Sequence, residues 1–215
     1  MIIDNCYGQR YIGCALKEGV IKINGTPGNA LGAYLDGGVI NVNGNAQDAV
    51  GDTMNFGKII IHGNAGDALG YAMRGGEIFV RNNAGYRTGI HMKEYRDKKP
   101  AIIIGGKVGS FLGEYLAGGL IVVLGGDSIE VPVGNFTGTG MHGGKIFIRS
   151  ESELTGLPAQ VAAAVASEED LKEIEPFVRE FCGYFGGDFE GILRGKFYVL
   201  TPNAKNPYKQ LYTAN

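Results

Sequence analysis

Residues 58–76, KIIIHGNAGDALGYAMRGG, run from a β-branched stretch through a glycine, a small polar segment and a second glycine to a Gly-Gly pair. The same pattern recurs on both sides. VIKIN begins at Val20, VINVN at Val39, KIIIH at Lys58 and EIFVR at Glu77, each 19 residues after the last. AIII starts at Ala101 after 24 residues, LIVVL at Leu120 after 19, and KIFIR at Lys145 after 25. The seven copies therefore absorb two short insertions, one within His91–Pro100 and one within Asp127–Phe136. The glycines keep step: Gly25 and Gly32, Gly44 and Gly51, Gly63 and Gly70, and Gly106 and Gly113 are each seven apart. Gly-Gly pairs close the copies at Gly37-Gly38, Gly75-Gly76, Gly118-Gly119 and Gly143-Gly144.

A 19-residue unit with one short strand cannot bury its own apolar face and must stack on a copy of itself. Strands at equal positions in successive coils then pair in parallel, about 4.8 Å apart. The unit is too short for a strand, a crossover helix and a return. No stretch between Val20 and Arg149 sustains apolar residues at helical spacing. The expected fold is all-β: a right-handed single-stranded parallel β-helix of about seven coils over residues 1–150. Glycines turn the chain at the corners, and Ala30, Ala49, Ala65 and Ala68 are expected to stack inward. Ile2–Asp4 reads as a short lead-in strand or cap.

After Ser150 the pattern changes, and residues 151–215 read as a helical extension and closing strand packed on the β-helix. The Ala-rich and Glu/Lys-rich stretch 152–186 has helical composition. Ser167, followed by Glu168, Glu169 and Asp170, is a helix start. Leu171, Ile174, Phe177, Val178 and Phe181 mark one apolar face, Pro176 interrupts or restarts the helix, and Gly183–Gly187 ends it. Lys196–Asn203 is a last strand, and NPYKQLYTAN (206–215) a polar tail. Such an extension would cap or brace the open edges of the solenoid.

Composition excludes several classes. The 37 glycines come with only 7 prolines, so neither collagen nor a Pro-rich linker is in view. The formal charge of -2 and pI near 5.9, with scattered Lys and Arg, argue against a nucleic-acid binder. No apolar run approaches the roughly 20 residues of a membrane span, and MIIDNCYG is not a signal segment. Cys6, Cys14 and Cys182 are too few and irregular for a disulfide framework, so reduced thiols and a cytoplasmic location are expected.

No motif carries chemistry. His62, His91 and His142 fall in different coils without metal-ligand spacing. Asp48 and Asp67 recur one coil apart as turn formers whose carboxylates stack. Their 19-residue period does not match the nine-residue calcium β-roll. In GGKVGS (Gly105–Ser110) the Lys lies between the glycines and no helix follows, so a phosphate cradle is not indicated. Cys14 and Cys182 lack an activating neighbour, and no nucleophile elbow is present. The expectation is no catalytic, cofactor-binding or metal residue in this chain.

The repeat GNAxDAxG, the Gly-Gly closures and EIFVRNNAGYRTGIHM (77–92) resemble the GXGXG domain of the glutamate synthase large subunit. The likeness continues through FLGEYLAGGLIVVLGG (111–126), GTGMHGGKIFIR (138–149), DLKEIEPFVREFCGYFG (170–186) and KFYVLTPNAKNPYKQL (196–211). The resemblance implies a stand-alone subunit of the split, archaeal type. It would brace amidotransferase and FMN-binding partner subunits that make glutamate from glutamine and 2-oxoglutarate. FMN and an iron–sulfur cluster would sit on those partners and none in this chain. Ile2 stands where an N-terminal nucleophile would need Cys. No nucleic-acid or membrane partner is implied, and self-association is compatible with the reading. A second family with similar Gly-rich coils is the C subunit of formylmethanofuran dehydrogenase, also a scaffold. A third reading is a carbohydrate-acting β-helix enzyme. It needs stacked carboxylates, yet Gly28 or Asn29 and Ser110 flank Asp48 and Asp67 in neighbouring copies. Contacts with partners are expected at the His91–Pro100 insertion and beyond Ser150.

Overall fold

The computed structural model describes residues 1–126 and 130–203. The polar tail 206–215 and part of the second insertion lie outside the described residues. Strands β1 (Ile2–Tyr7), β2 (Val20–Thr26), β3 (Asp36–Asn43), β4 (Phe56–Ile61), β5 (Glu77–Val80), β6 (Ala101–Ile104), β7 (Ala117–Val123) and β8 (Gly143–Arg149) form one parallel ladder in chain order. The repeat sets the register: Val20 pairs with Val39, then Lys58 with Glu77, Ala101 with Leu120 and on to Lys145. The lead-in is more than a cap. Ile2 and Ile3 pair with Lys22 and Ile23, so β1 is a full first rung.

Alternation along each strand sorts the side chains. Ile40, Ile59, Ile78, Ile102, Ile121 and Ile146 stack inside the coil, fully buried, with Val42, Ile61, Val80 and Ile104 one step along. Both faces of the later rungs are apolar, as a two-sided buried strand requires. Phe79, Ile103, Val122 and Phe147 point outward into a second core.

The return from each strand uses backbone conformations that alternate in and out of the left-handed region. Ala30, Gly32 and Tyr34 have φ of 62°, 65° and 56°, and Ala49, Gly51 and Thr53 have 56°, 68° and 53°. The middle position of each triplet must be glycine for two reasons. Its φ is positive, and a Cβ on Gly51 would lie 2.5 Å from Ile78 Cδ1 of the next coil but one. The outer two positions also have positive φ and carry Ala, Tyr, Thr, Arg, His or Phe. The four alanines therefore divide. Ala30, Ala49 and Ala68 are left-handed corner residues, of which Ala30 is buried and the other two half-buried, while Ala65 is buried with a regular backbone. The amides of the triplet bond alternately to the next and the previous coil: Ala30 N to Asp48 O, Gly32 N to Ile12 O, Tyr34 N to Asp52 O.

Beyond β8 the expected helix begins late. The Ala-rich run forms strand β9 (Val161–Val165) at the sheet edge, paired antiparallel to β10 (Phe197–Pro202), which itself pairs antiparallel to β8. Alanine favours helix locally, but the open edge of β10 recruits these five residues. Helix α1 (Glu168–Phe185) is one continuous element with Pro176 inside it, not interrupted. Ser167 caps it: its hydroxyl accepts from Asp170 N, 3.2 Å away, and the Asp170 carboxylate accepts from Ser167 N at 3.1 Å. The short helix α2 (Phe189–Arg194) follows.

Candidate functional site

Helix α1 lies across the outer face of the later rungs. Ile174, Val178 and Phe181 are buried against Phe79, Ile103, Val122, Phe147, Phe197 and Val199. Cations on the sheet hold its margins. Lys58 pairs with Glu180 and, at 2.8 Å, with Glu77. Lys145 reaches Asp170 and Glu173, both at 2.8 Å, and Lys99 lies 3.6 Å from Glu173. Burial pulls the Lys58 ammonium down, but its bonds to Glu180 and Glu77 outweigh burial and raise it overall. The Lys145 ammonium holds the Asp170 carboxyl at about 2, against a smaller opposing effect of burial and with added bonds from Ser167.

The position that ends or directly follows each strand forms an outward column: Asn43, His62, Arg81, Gly105, Leu124, Arg149. Backbone bonds from His62 N to Val42 O, Arg81 N to Ile61 O, Gly105 N to Val80 O and Leu124 N to Ile104 O keep it in line. Gly105 leaves a gap in the column. A Cβ there would lie 2.6 Å from Phe181 Cζ, so the missing side chain seats that ring. Beside it opens a cleft of about 450 Å³, lined by Arg81, Arg149, Leu124, Phe181, Phe185 and Ile192, with Gly186, Gly187 and Asp188 of the α1–α2 turn. Arg149 Nη1 lies 3.5 Å from Leu124 O and 3.4 Å from Gly126 O. Neither arginine has an ion pair among the described residues. Asp188, the one carboxylate lining the cleft among the described residues, lies 3.8 Å from Arg194. Both arginines end strands of related sequence, EIFVR and KIFIR, and that shared ending was the signal to read.

The residues singled out in the sequence are not brought together. His62 sits at the column's edge, edge-on to Phe185 with ring centroids 5.1 Å apart, and burial, with Arg81 nearby, lowers its pKa. His91 occupies a left-handed corner and stacks on Tyr115 at 5.0 Å. His142 Nδ1 is 3.2 Å from Gly140 O. Asp48 and Asp67 do form a ladder: Asp48 Oδ1 accepts from Asp67 N at 2.9 Å, and Asp67 Oδ1 from Tyr86 N at 2.8 Å. Asn45, Asn64 and Asn83 make a parallel ladder in the same way. Such bonds satisfy corner amides that the turn would otherwise leave open. Cys6 is buried, Cys14 exposed and Cys182 half-buried, each a free thiol, and burial raises Cys6 and Cys182. In GGKVGS, Lys107 pairs with Glu130 at 2.8 Å, and Val108 bridges to Ala84 and Val133 as part of the coil. Among the described residues no His, Cys, Asp and Glu group is arranged to hold a metal ion, and no helix is long and apolar enough to cross a membrane.

Ladder, glycine-centred corners and an outer helix define a parallel β-solenoid with a C-terminal brace. Residues 1–202 match the family described as the GXGXG motif, and the chain belongs to that family. It is 44% identical over 222 aligned positions to an uncharacterized protein of Methanocaldococcus jannaschii, covering 99% of this chain and 85% of that one. Its fold is similar to a chain of the formyltransferase/hydrolase complex (FhcABCD) from Methylorubrum extorquens, solved with methylofuran. That match has a TM-score of 0.69 at 23% identity, covering 91% of this chain and 70% of that one.

Proposed function

We propose that this chain is a non-catalytic β-helix scaffold subunit of a multi-subunit enzyme complex, and that the complex handles formyl groups on a one-carbon carrier. The supporting observation is the likeness of 91% of the chain to a member of the FhcABCD complex. A solenoid suits such a role. Each coil contacts only its neighbours, so the long sides remain available to other subunits without disturbing the core. Exposed aromatic residues on the corners, among them Tyr34, Tyr86 and Phe136, are of the type enriched at protein interfaces.

A brace in a glutamate synthase complex is the second reading. It draws on the GXGXG family match and on the likeness of residues 170–186 and 196–203 to that enzyme's closing helix and strand. Its partners would be amidotransferase and FMN-binding subunits, with FMN and the iron–sulfur cluster on those chains. The test is affinity purification of the tagged chain from its native cells, followed by mass spectrometry. Recovery of formyltransferase- or hydrolase-type subunits supports the first reading. Recovery of an amidotransferase with a flavoprotein replaces it with the second. Purification as a partnerless protein with its own enzymatic activity overturns both.

A further inference from the structure

We infer that the cleft between Arg81, Arg149 and the α1–α2 turn binds a small organic dianion, with one anionic group at each arginine and an apolar body between them. Four observations carry this. First, the two guanidinium groups are treated differently from their neighbours on the same face. Lys58 and Lys145 are each held by two carboxylates, whereas Arg81 and Arg149 have none among the described residues. Among the described residues Arg149 makes the long contacts to Leu124 O and Gly126 O. An arginine fork is suited to carboxylate, sulfonate or phosphate oxygens and forms strong charge-assisted bonds with them.

Second, the two arginines stand three rungs apart in one column, with Gly105 and Leu124 between. At rung spacing this separates their backbones by about 14 Å. Third, the floor and roof between them are apolar: Leu124, Phe181, Phe185 and Ile192, with the side-chain gap at Gly105 opening the space. Fourth, the volume of about 450 Å³ lies within the usual range for small-molecule sites, roughly 300–1,000 Å³. Among the described residues the cleft carries two positive charges against the single carboxylate of Asp188, so the field at its centre favours an anion. A dianion with an apolar middle matches this arrangement better than inorganic phosphate, which could reach one arginine and would leave the aromatic wall uncovered.

The test is calorimetric titration of the full chain at low ionic strength with naphthalene-2,6-disulfonate, naphthalene-2-sulfonate and inorganic sulfate. The disulfonate should bind about tenfold or more tightly than the monosulfonate, and sulfate more weakly still. Arg81→Gln and Arg149→Gln should each erase the preference for the disulfonate, while Arg87→Gln, on the corner side and paired with Glu114, should keep it. Arg81 is exposed, so its variant is expected to melt like the wild type, and it decides the matter if Arg149→Gln unfolds. Equal affinity for the two naphthalene probes, or a preference that survives Arg81→Gln, overturns the inference. Tighter binding of soluble polyglutamate than of the disulfonate also overturns it, assigning the cleft to an acidic partner segment. None of these outcomes bears on the scaffold reading, which rests on complex recovery.

Discussion

Gly51→Ala probes the feature on which the coil depends most. The residue has φ of 68°, and a Cβ would lie 2.5 Å from the Cδ1 of Ile78, a fully buried side chain of the next coil but one. Left-handed backbone costs a non-glycine residue about 1–2 kcal/mol. Losing glycine's extra unfolded-state freedom returns about 0.4–1 kcal/mol. Crowding one methyl into a packed core adds about 1–3 kcal/mol. The net expectation is a loss of about 1–4.5 kcal/mol. Two partners isolate the causes. Ala49→Gly, two residues away at φ 56° and half-buried, should be neutral or stabilising by up to about 1 kcal/mol. Ile78→Val alone should cost about 0.5–1.5 kcal/mol. Combined with Gly51→Ala it removes the colliding methyl, so the double variant should be no less stable than Gly51→Ala alone. That corresponds to a coupling of about 1–2 kcal/mol. Urea unfolding with comparison of slopes and midpoints measures all four proteins. Additivity of the two substitutions within about 0.5 kcal/mol would refute the steric argument.

Other outcomes follow from named contacts. Asp67→Ala should cost about 1 kcal/mol by stranding Tyr86 N, whereas Asp67→Asn, which keeps the acceptor oxygen, should be near neutral in the same urea assay. Ser167→Ala should lower stability by about 1 kcal/mol through loss of the α1 cap, visible as a reduced melting temperature. The folded Asp170 carboxyl, at about 2, lies below its unfolded value of about 3.9. Its contribution is therefore complete above pH 4–5 and lost as pH falls towards 2. Asp170→Asn should flatten that limb of a melting-temperature profile, and an unchanged acid limb would count against the Lys145 pairing.

The rungs were legible because one short strand in a 19-residue unit leaves parallel stacking as the available burial. Each apolar run from Val20 to Arg149 became a strand in the expected register. The first insertion also fell where the spacing put it. Its Lys98 and Lys99 turn back on Asp36 and Glu173 of the same chain. Misreadings arose where distant partners override local preference. Val161–Val165 has helix-favouring alanines, yet it pairs with β10, which follows more than thirty residues later. Pro176 should cost a helix interior about 3 kcal/mol. Burial of Ile174, Val178 and Phe181 on the sheet accompanies an unbroken helix nonetheless. Ala49 and Ala68 are half-buried left-handed corners, and small size alone does not report a left-handed backbone.

The sequence by itself determined the period, the strands, the glycine at the centre of each corner and the cap of α1, because each depends on residues close in the chain or one repeat apart. Only the tertiary structure decided that α1 crosses the outer face, that β9 closes the sheet, and that Arg81 and Arg149 face one cleft. Those arrangements depend on which surfaces meet, and the arginines come from different coils whose separation is set by stacking and by the empty position at Gly105.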